Sequence, residues 1–530
     1  MRLDPVGRFL RLPTPVAARA SVAKALPVRM RDGVVLRADH YAPQLKGPHP
    51  TVLVRTPYGR SGPSAWLCRA VALRGFHMLI QSCRGTADSG GAFDPLLQER
   101  EDGLDTLDWL RHQPWYDGRL LTYGPSYVGF VQWALAAEAG EELRAMVTVV
   151  TAAEFGNSTY AGGAFSLDSV LTWSAILAAQ RGPRLAGTVE LLRGQPRLRR
   201  GLAHLPLAEA DRVTTGAEID FFQRWLVETD PAAAYWSERG HAHRLPDVSA
   251  PVLMIGGWYD IFLPWQLDDY AALRAAGARP YLTVGPWTHG SVGLFQEAAA
   301  EGVAWFRAHT DGGPLREQPV RLYVGGADEW REYPHWPPPG VRPQRWYLSP
   351  DGGLSHAAAS GGDVLGAFTY DPDDPTPALG GPRLIGKIAG RRDNRSLEAR
   401  PDVLTFSTEP LTAPFEALGP VSATVPVRAS APYFDVFVRL CDVDPAGRSW
   451  NVCDGLTRVS GASGVEEVVV KLWPTAYRFE PGHRIRVQVS GGAHPRFSRN
   501  PGTGAPLGQE RDLVPVRREL LGPAWIELHA

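Results

Sequence analysis

The sequence predicts an α/β fold built on a doubly wound, mostly parallel sheet, split by a helical cap insertion and followed by an all-β jelly-roll domain. Three observations predict it. Continuous apolar β runs alternate with amphipathic helical segments over the first 150 or so of the 530 residues, and again beyond residue 250. That rhythm stops between the two stretches. Near residue 316 it gives way to short strands separated by Gly, Pro and Asp clusters. Buried β runs alternating with helices imply a parallel sheet covered on both faces.

The first β runs are Thr51 to Val54, Phe76 to Ile80 and Ala145 to Val150. Between the last two, Leu104, Leu107, Trp109 and Leu110 recur at helical spacing over Glu101 to His112. Helices are expected over Leu167 to Ala179, Ala186 to Leu192 and Ile219 to Val227, which makes 154–245 the cap. The β rhythm returns at Pro251 to Ile255 and Tyr281 to Val284, so 1–153 and 246–316 are read as the two parts of one domain. An insertion at this place is expected over the carboxyl ends of the strands, where ligands bind in such sheets. Residues 317–530 carry Val320 to Val324, Phe434 to Leu440, Val468 to Leu472 and the alternating Ile485 to Val489, the pattern of a β sandwich.

Composition narrows the function. A formal net charge of −1 lacks the basic excess of a nucleic-acid binder and gives no reason to sit on an anionic membrane. No apolar run has signal-peptide or membrane-spanning character, so a cytoplasmic protein is the default. Four cysteines (Cys68, Cys83, Cys441 and Cys453) are too few for a disulfide framework and read as buried hydrophobes. His241-Ala242-His243 lacks nearby Cys or carboxylate partners, and Asp371 to Pro375 reads as a solvated turn. No metal and no cofactor are expected. The oligomeric state is open, a homodimer included.

The chemistry concentrates at Leu120 to Gly129, LLTYGPSYVG: a short strand, a glycine, one serine, then a helical segment from Phe130 to Gly140. A strand-turn-helix of this kind exposes a serine hydroxyl, as in a nucleophile elbow. The general G-x-S-x-G pattern would place glycine at position 128; this chain has Val128, with Gly129 one step later. An acyl-transfer serine needs a base and an orienting acid. The run Val252 to Ile255 leads to Gly256-Gly257-Trp258-Tyr259-Asp260, and Leu282 to Val284 leads to Gly285-Pro286-Trp287-Thr288-His289. Ser126, Asp260 and His289 thus fall at strand ends in the chain order of an α/β-hydrolase triad. The backbone N–H of Tyr127 supplies one oxyanion donor. Tyr58, in the loop Arg55 to Arg60 after Thr51 to Val54, is the candidate for the second.

These residues resemble the CocE/NonD family of serine hydrolases, related to X-Pro dipeptidyl peptidases and bacterial cocaine esterase. Gly124, Ser126, Tyr127 and Gly129 match its G-x-S-Y-x-G motif, which accounts for the displaced glycine. Pro57-Tyr58, Gly257 to Asp260 and Gly285 to Gly290 resemble its oxyanion, acid and histidine segments, and Gln113-Pro114-Trp115 with Asp117 to Arg119 is similar to its approach to the elbow. Arg400 to Leu404, Phe437 to Leu440 and Gly482 to Arg486 resemble its β-domain. The resemblance implies an α/β-hydrolase domain, a helical cap and a jelly roll packed beside the site. Ser82-Cys83 before Arg84-Gly85 departs from the family, which usually has an acidic residue there.

The expected activity is hydrolysis of a small-molecule ester, or a related acyl bond, through a Ser126 acyl-enzyme. Trp258, Phe262 and Trp287, with Tyr160, Phe165 and Trp173 from the cap, are candidate pocket linings for an aryl or hydrophobic acyl group; each serves equally well as core. Tyr127, beside the nucleophile, is a further candidate lining. The alternatives are an X-Pro dipeptidyl peptidase or an α-amino acid ester hydrolase/β-lactam acylase. Either would hold a substrate ammonium near carboxylates such as Glu154 or Asp220. A non-catalytic carbohydrate-binding or scaffolding role for the jelly roll is a third reading.

Overall fold

The computed structural model describes residues 4–180, 195–358, 360–384, 386 and 388–530. The first sheet is built from β1 (Ala20–Arg29), β2 (Val35–Pro43), β3 (Thr51–Thr56), β4 (His77–Ser82), β5 (Leu120–Pro125), β6 (Leu143–Val149), β7 (Val252–Tyr259), β8 (Tyr281–Thr288), β9 (Val320–Val324) and β10 (Glu329–Tyr333). Their spatial order is β1-β2-β4-β3-β5-β6-β7-β8-β9-β10. Neighbours from β4 to β9 are parallel. The edges β1–β2 and β9–β10, and the β2–β4 pair, are antiparallel.

Every residue of β3, β4 and β7 is buried, as expected of strands with helices on both faces. After β3 the chain steps outward to β4, then crosses back to lay β5 on the other side of β3. This reversal opens a crevice at the carboxyl ends of β3 and β5, where ligands bind in open α/β sheets. Tyr58 follows β3 and Ser126 follows β5.

Two parts of this sheet differ from the sequence expectation. The β1–β2 hairpin is not foreseen, because β1 is largely exposed and carries little apolar signal. Composition places β9 and β10 in the C-terminal domain, but β9 pairs in parallel with β8 and extends the first sheet. The change of composition near residue 316 therefore precedes the last two strands of the sheet.

On one flank of the sheet His40 Nε2 lies 2.9 Å from His77 Nδ1, and Trp115 stacks on His40 with ring centroids 3.7 Å apart. Burial, with the neighbouring imidazoles, lowers His40 to about 3 and His77 to about 4, from an ordinary value of 6.5. The unfolded chain therefore takes up protons that the folded chain refuses as pH falls below about 6.5. Stability contributed by the neutral pair is complete above that value and is lost progressively down to about pH 3. The urea midpoint of the wild type is expected to fall across this window, and His77→Gln should make the fall shallower. Equal slopes for the two proteins would remove the pair from the acid response.

The insertion between β6 and β7 contains the helices Leu167–Gln180, Ala210–Thr215 and Asp220–Val227, with shorter turns between them. The helix expected over 186–192 lies outside the described residues. Phe165, Leu171, Phe222 and Trp236 form the insertion's core, which continues into Tyr127 and Phe130 of the domain below. No helix among the described residues is long and apolar enough to cross a membrane.

The C-terminal domain is an antiparallel sandwich. Its strands are β11 (Pro343–Leu348), β12 (Leu354–Ser355), β13 (Val364–Tyr370), β14 (Val403–Ser407), β15 (Phe415–Ala429), β16 (Phe434–Val443), β17 (Ser449–Val459), β18 (Val465–Phe479), β19 (Arg484–Ser490), β20 (Val516–Leu521) and β21 (Trp525–His529). One sheet runs β12-β11-β21-β15-β20-β13, with β18 also paired to β15; the other runs β14-β19-β16-β17. β16 is buried along its whole length, charged residues included. Each of those is paired: Asp435 with Arg458, Arg439 with Asp454, and Asp442 with His483.

Candidate active site

Ser126 sits between β5 and the helix Tyr127–Ala136 with φ 56° and ψ −129°. A positive φ is costly for a residue with a Cβ and persists only where the surroundings impose it. Here Ser126 N donates to Val149 O at 2.9 Å, and Thr151 Oγ1 donates to Ser126 O at 2.7 Å. The flanking glycines are fixed by space. A Cβ at Gly124 would lie 2.2 Å from Val128 Cγ1, and one at Gly129 would lie 2.7 Å from Thr151 Cβ. Close approach to Thr151 thus sets the glycine at 129, while Val128 remains in the core.

Asp260 follows β7 and is fully buried; His289 follows β8. His289 Nδ1 lies 2.7 Å from Asp260 Oδ2, while Asp260 Oδ1 accepts the Phe262 N–H at 2.8 Å. A buried carboxylate with both oxygens engaged orients the imidazole, with Nδ1 toward Asp260 and Nε2 on the far side of the ring. The Asp260 carbonyl in turn accepts from Trp473 Nε1 on β18, at 2.9 Å.

Tyr58 is partly buried beneath the cap. Its hydroxyl accepts from Trp173 Nε1 at 3.0 Å and lies near the Ser126 side chain. Burial pushes the phenol up to about 12, so at neutral pH it keeps its proton and can donate it. Tyr127 opens the helix, where the first N–H groups have no intrahelical acceptor and favour an anion. Its side-chain hydroxyl is engaged elsewhere: it donates to Glu99 Oε1 and accepts from Leu96 N, both at 2.8 Å. Glu99 is paired with buried Arg55 at 2.7 Å. Burial and the Glu99 charge push the Cys83 thiol well above its ordinary value, which makes Cys83 a poor nucleophile. Sequence reasoning missed this Arg55–Glu99–Tyr127 network; an arginine closing the apolar run of β3 was its visible signal.

A cavity opens at Ser126. Its walls include Phe155, Trp173, Phe262, Trp265 and Trp473, with Pro382, Leu384, Arg496 and Phe497 from the C-terminal domain. Of the expected linings, Tyr127, Phe262 and Trp173 are in place. Four others correct the expectation, since they do not line it. Trp258 turns to β9, where its Nε1 donates to Tyr323 O at 2.7 Å. Trp287 packs beneath the sheet end against Trp330, with centroids 5.7 Å apart. Tyr160 and Phe165 pack together in the cap core, and the Tyr160 hydroxyl donates to Trp225 O. Asp220 is exposed at the start of its helix, Glu154 bonds Asn157, and neither reaches the cavity.

The remaining candidates are structural. His241 is buried against Phe130, and burial lowers it to about 3. Asp374 pairs with Arg400 at 3.0 Å, while Asp371 caps its own turn. Among the described residues, no group of three or more His, Cys, Asp or Glu side chains is arranged to hold a metal ion.

Comparison with known proteins divides the chain in two, with β9 and β10 falling in the second part. Residues 32–291 match the family model described as X-Pro dipeptidyl-peptidase (S15 family), and residues 314–519 match the X-Pro dipeptidyl-peptidase C-terminal non-catalytic domain. Cocaine esterase from Rhodococcus sp. (strain MB1 Bresler) is 34% identical, over 93% of this chain and 94% of that protein. The chain belongs to the CocE/NonD family of serine hydrolases. The fold of this CocE/NonD hydrolase also matches two solved structures closely. An aminopeptidase from a marine sediment archaeon (Thaumarchaeota archaeon) gives a TM-score of 0.82 at 21% identity, covering 98% of this chain and 97% of that one. An α-amino acid ester hydrolase gives 0.80 at 20% identity, covering 98% of both.

Proposed function

We propose that this CocE/NonD hydrolase cleaves carboxylic esters with an aryl or hydrophobic component, through an acyl-enzyme on Ser126. Ser126 Oγ attacks the carbonyl carbon while His289 Nε2 takes its proton. The oxyanion is held by the Tyr58 hydroxyl and the Tyr127 N–H. His289 then returns the proton to the departing alkoxide, and water repeats the sequence to release the acid.

The observation that carries this reading over the aminopeptidase and aminoacyl-ester alternatives is the cavity wall. Aromatic and aliphatic groups dominate it, and no carboxylate is among its described lining residues. A substrate ammonium would meet no counter-charge there. The relative named as an esterase fits the same reading.

A panel of aryl esters, aminoacyl esters and X-Pro anilides tests it. Aryl esters should show kcat/KM at least about a hundredfold above the other two classes, the scale set when a buried charged group lacks its partner. A preference for X-Pro anilides would overturn the ester assignment. Tyr58→Phe should lower kcat by roughly a hundredfold or more with little change in KM, because the lost donor acts on the oxyanion. An unchanged kcat would return Tyr58 to a packing role beside Trp173.

A further inference from the structure

Arg496 is the one charged side chain among the described residues that line the Ser126 cavity. It is 5% exposed. Its guanidinium is held firmly on most sides. Nη1 donates to Asp454 Oδ1, and its carbon lies 4.5 Å from the Trp473 ring centroid and 4.7 Å from that of Phe497. Nη2 has no hydrogen-bond partner among the described residues and is itself closed to solvent, so an acceptor would reach it only as the cavity wall shifts around a bound ligand.

The local charges do not balance either. Asp454 is shared: its Oδ2 accepts from Nε and Nη2 of Arg439, at 3.1 and 2.9 Å. Two buried guanidiniums therefore divide one carboxylate, and one positive charge is left over. Arg383, the next cation in this region, is matched by Asp168 at 3.0 and 2.8 Å. That pair is neutral and leaves no carboxylate oxygen free for Arg496. An ionised donor buried without an acceptor is costly. A planar guanidinium stacked on rings still presents its edge for in-plane hydrogen bonds.

We propose that Arg496 is a specificity-determining residue that receives a carboxylate carried by the ester substrate in the Ser126 cavity. This deepens the ester-hydrolase reading and rests on it. The guanidinium is pre-positioned to do so, because the Trp473 indole beside it is anchored to the Asp260 carbonyl. The anion site and the triad acid thus share one support. The same charge disfavours an ammonium-bearing substrate.

Two ester pairs test the proposal and locate the carboxylate. On the acyl side, 4-nitrophenyl hemiglutarate is compared with 4-nitrophenyl 5-methylhexanoate, in which an isopropyl group replaces the carboxylate. On the alcohol side, 4-carboxyphenyl butyrate is compared with 4-isopropylphenyl butyrate. The readout is the ratio of kcat/KM within each pair, corrected for hydroxide-catalysed hydrolysis, and it does not depend on the fraction of folded enzyme. The wild type should favour the acidic member of one pair by about tenfold or more. Arg496→Met should abolish that preference, and Arg496→Lys should retain part of it. A wild-type ratio at or below one for both pairs overturns the proposal, and so does a preference that survives in Arg496→Met. Should Arg496→Met give no soluble protein, the wild-type ratio and the lysine variant still decide. Turnover of the neutral esters without any preference removes only the role of Arg496. Failure to cleave all four esters removes the ester reading itself.

Discussion

Ser126→Ala is expected to reduce ester turnover by about 10⁵- to 10⁶-fold, leaving only the residual rate that binding and an oxyanion hole provide without a nucleophile. The expectation follows from how much of the local fold serves one hydroxyl. The backbone holds a non-glycine residue at φ 56°, two glycines clear the space around it, and the Asp260–His289 pair stands at the ends of β7 and β8. Alanine adopts the same backbone no less easily than serine, so the variant should keep its circular dichroism and urea midpoint. A fluorophosphonate probe should label the wild type and not the variant. A folded variant that retains a tenth of the activity would move the nucleophile elsewhere.

Asp454→Asn is expected to have the largest effect on stability, about 3–5 kcal/mol, the range seen when one partner of a buried ion pair is removed. Burial works to raise this carboxyl, but Arg496 and Arg439 more than offset it and hold it below the usual carboxylate value. Asparagine would leave two buried guanidiniums facing each other with no anion between them. The loss should appear as a lowered urea midpoint, together with weakened ester turnover, because Arg496 and Trp473 share the cavity wall. Glu409→Gln is the contrasting variant. Its carboxylate is 94% exposed and 3.5 Å from Arg484, and surface pairs of this kind contribute little. Equal midpoints for Asp454→Asn and the wild type would show that the two arginines do not depend on the shared carboxylate.

What was legible in the sequence was local. β3 through β8, the elbow, and the positions of Asp260 and His289 after successive strands are all encoded in runs of fewer than ten residues, where apolar pattern and turn chemistry agree. The cavity was legible only in part, because its walls come from residues hundreds of positions apart. Trp473, Pro382, Leu384, Arg496 and Phe497 belong to a different domain from Ser126, and nothing in their own neighbourhoods marks them as facing it. Trp258 and Trp287 stand next to the motifs, yet their rings turn under the sheet ends, where β9 and β10 supply Tyr323 and Trp330 as partners. Composition does not reveal that those two strands extend the first sheet, for a related reason: pairing with β8 is a long-range property, while composition is a local one. Phe165 and Tyr160 are aromatic residues of the cap, and the cap has a core of its own to fill.

The hydrogen bond from Trp473 to the Asp260 carbonyl joins residues 213 positions apart. On a growing chain, the serine turn is complete long before the indole that steadies the acid has been made. At roughly 5–20 residues per second, about 10–40 s of synthesis separate Asp260 from Trp473. The hydrolase domain thus emerges first, without a finished acid and without one wall of its cavity. The β sandwich thus supplies the support behind Asp260 and one wall of the cavity only after its own strands have been made.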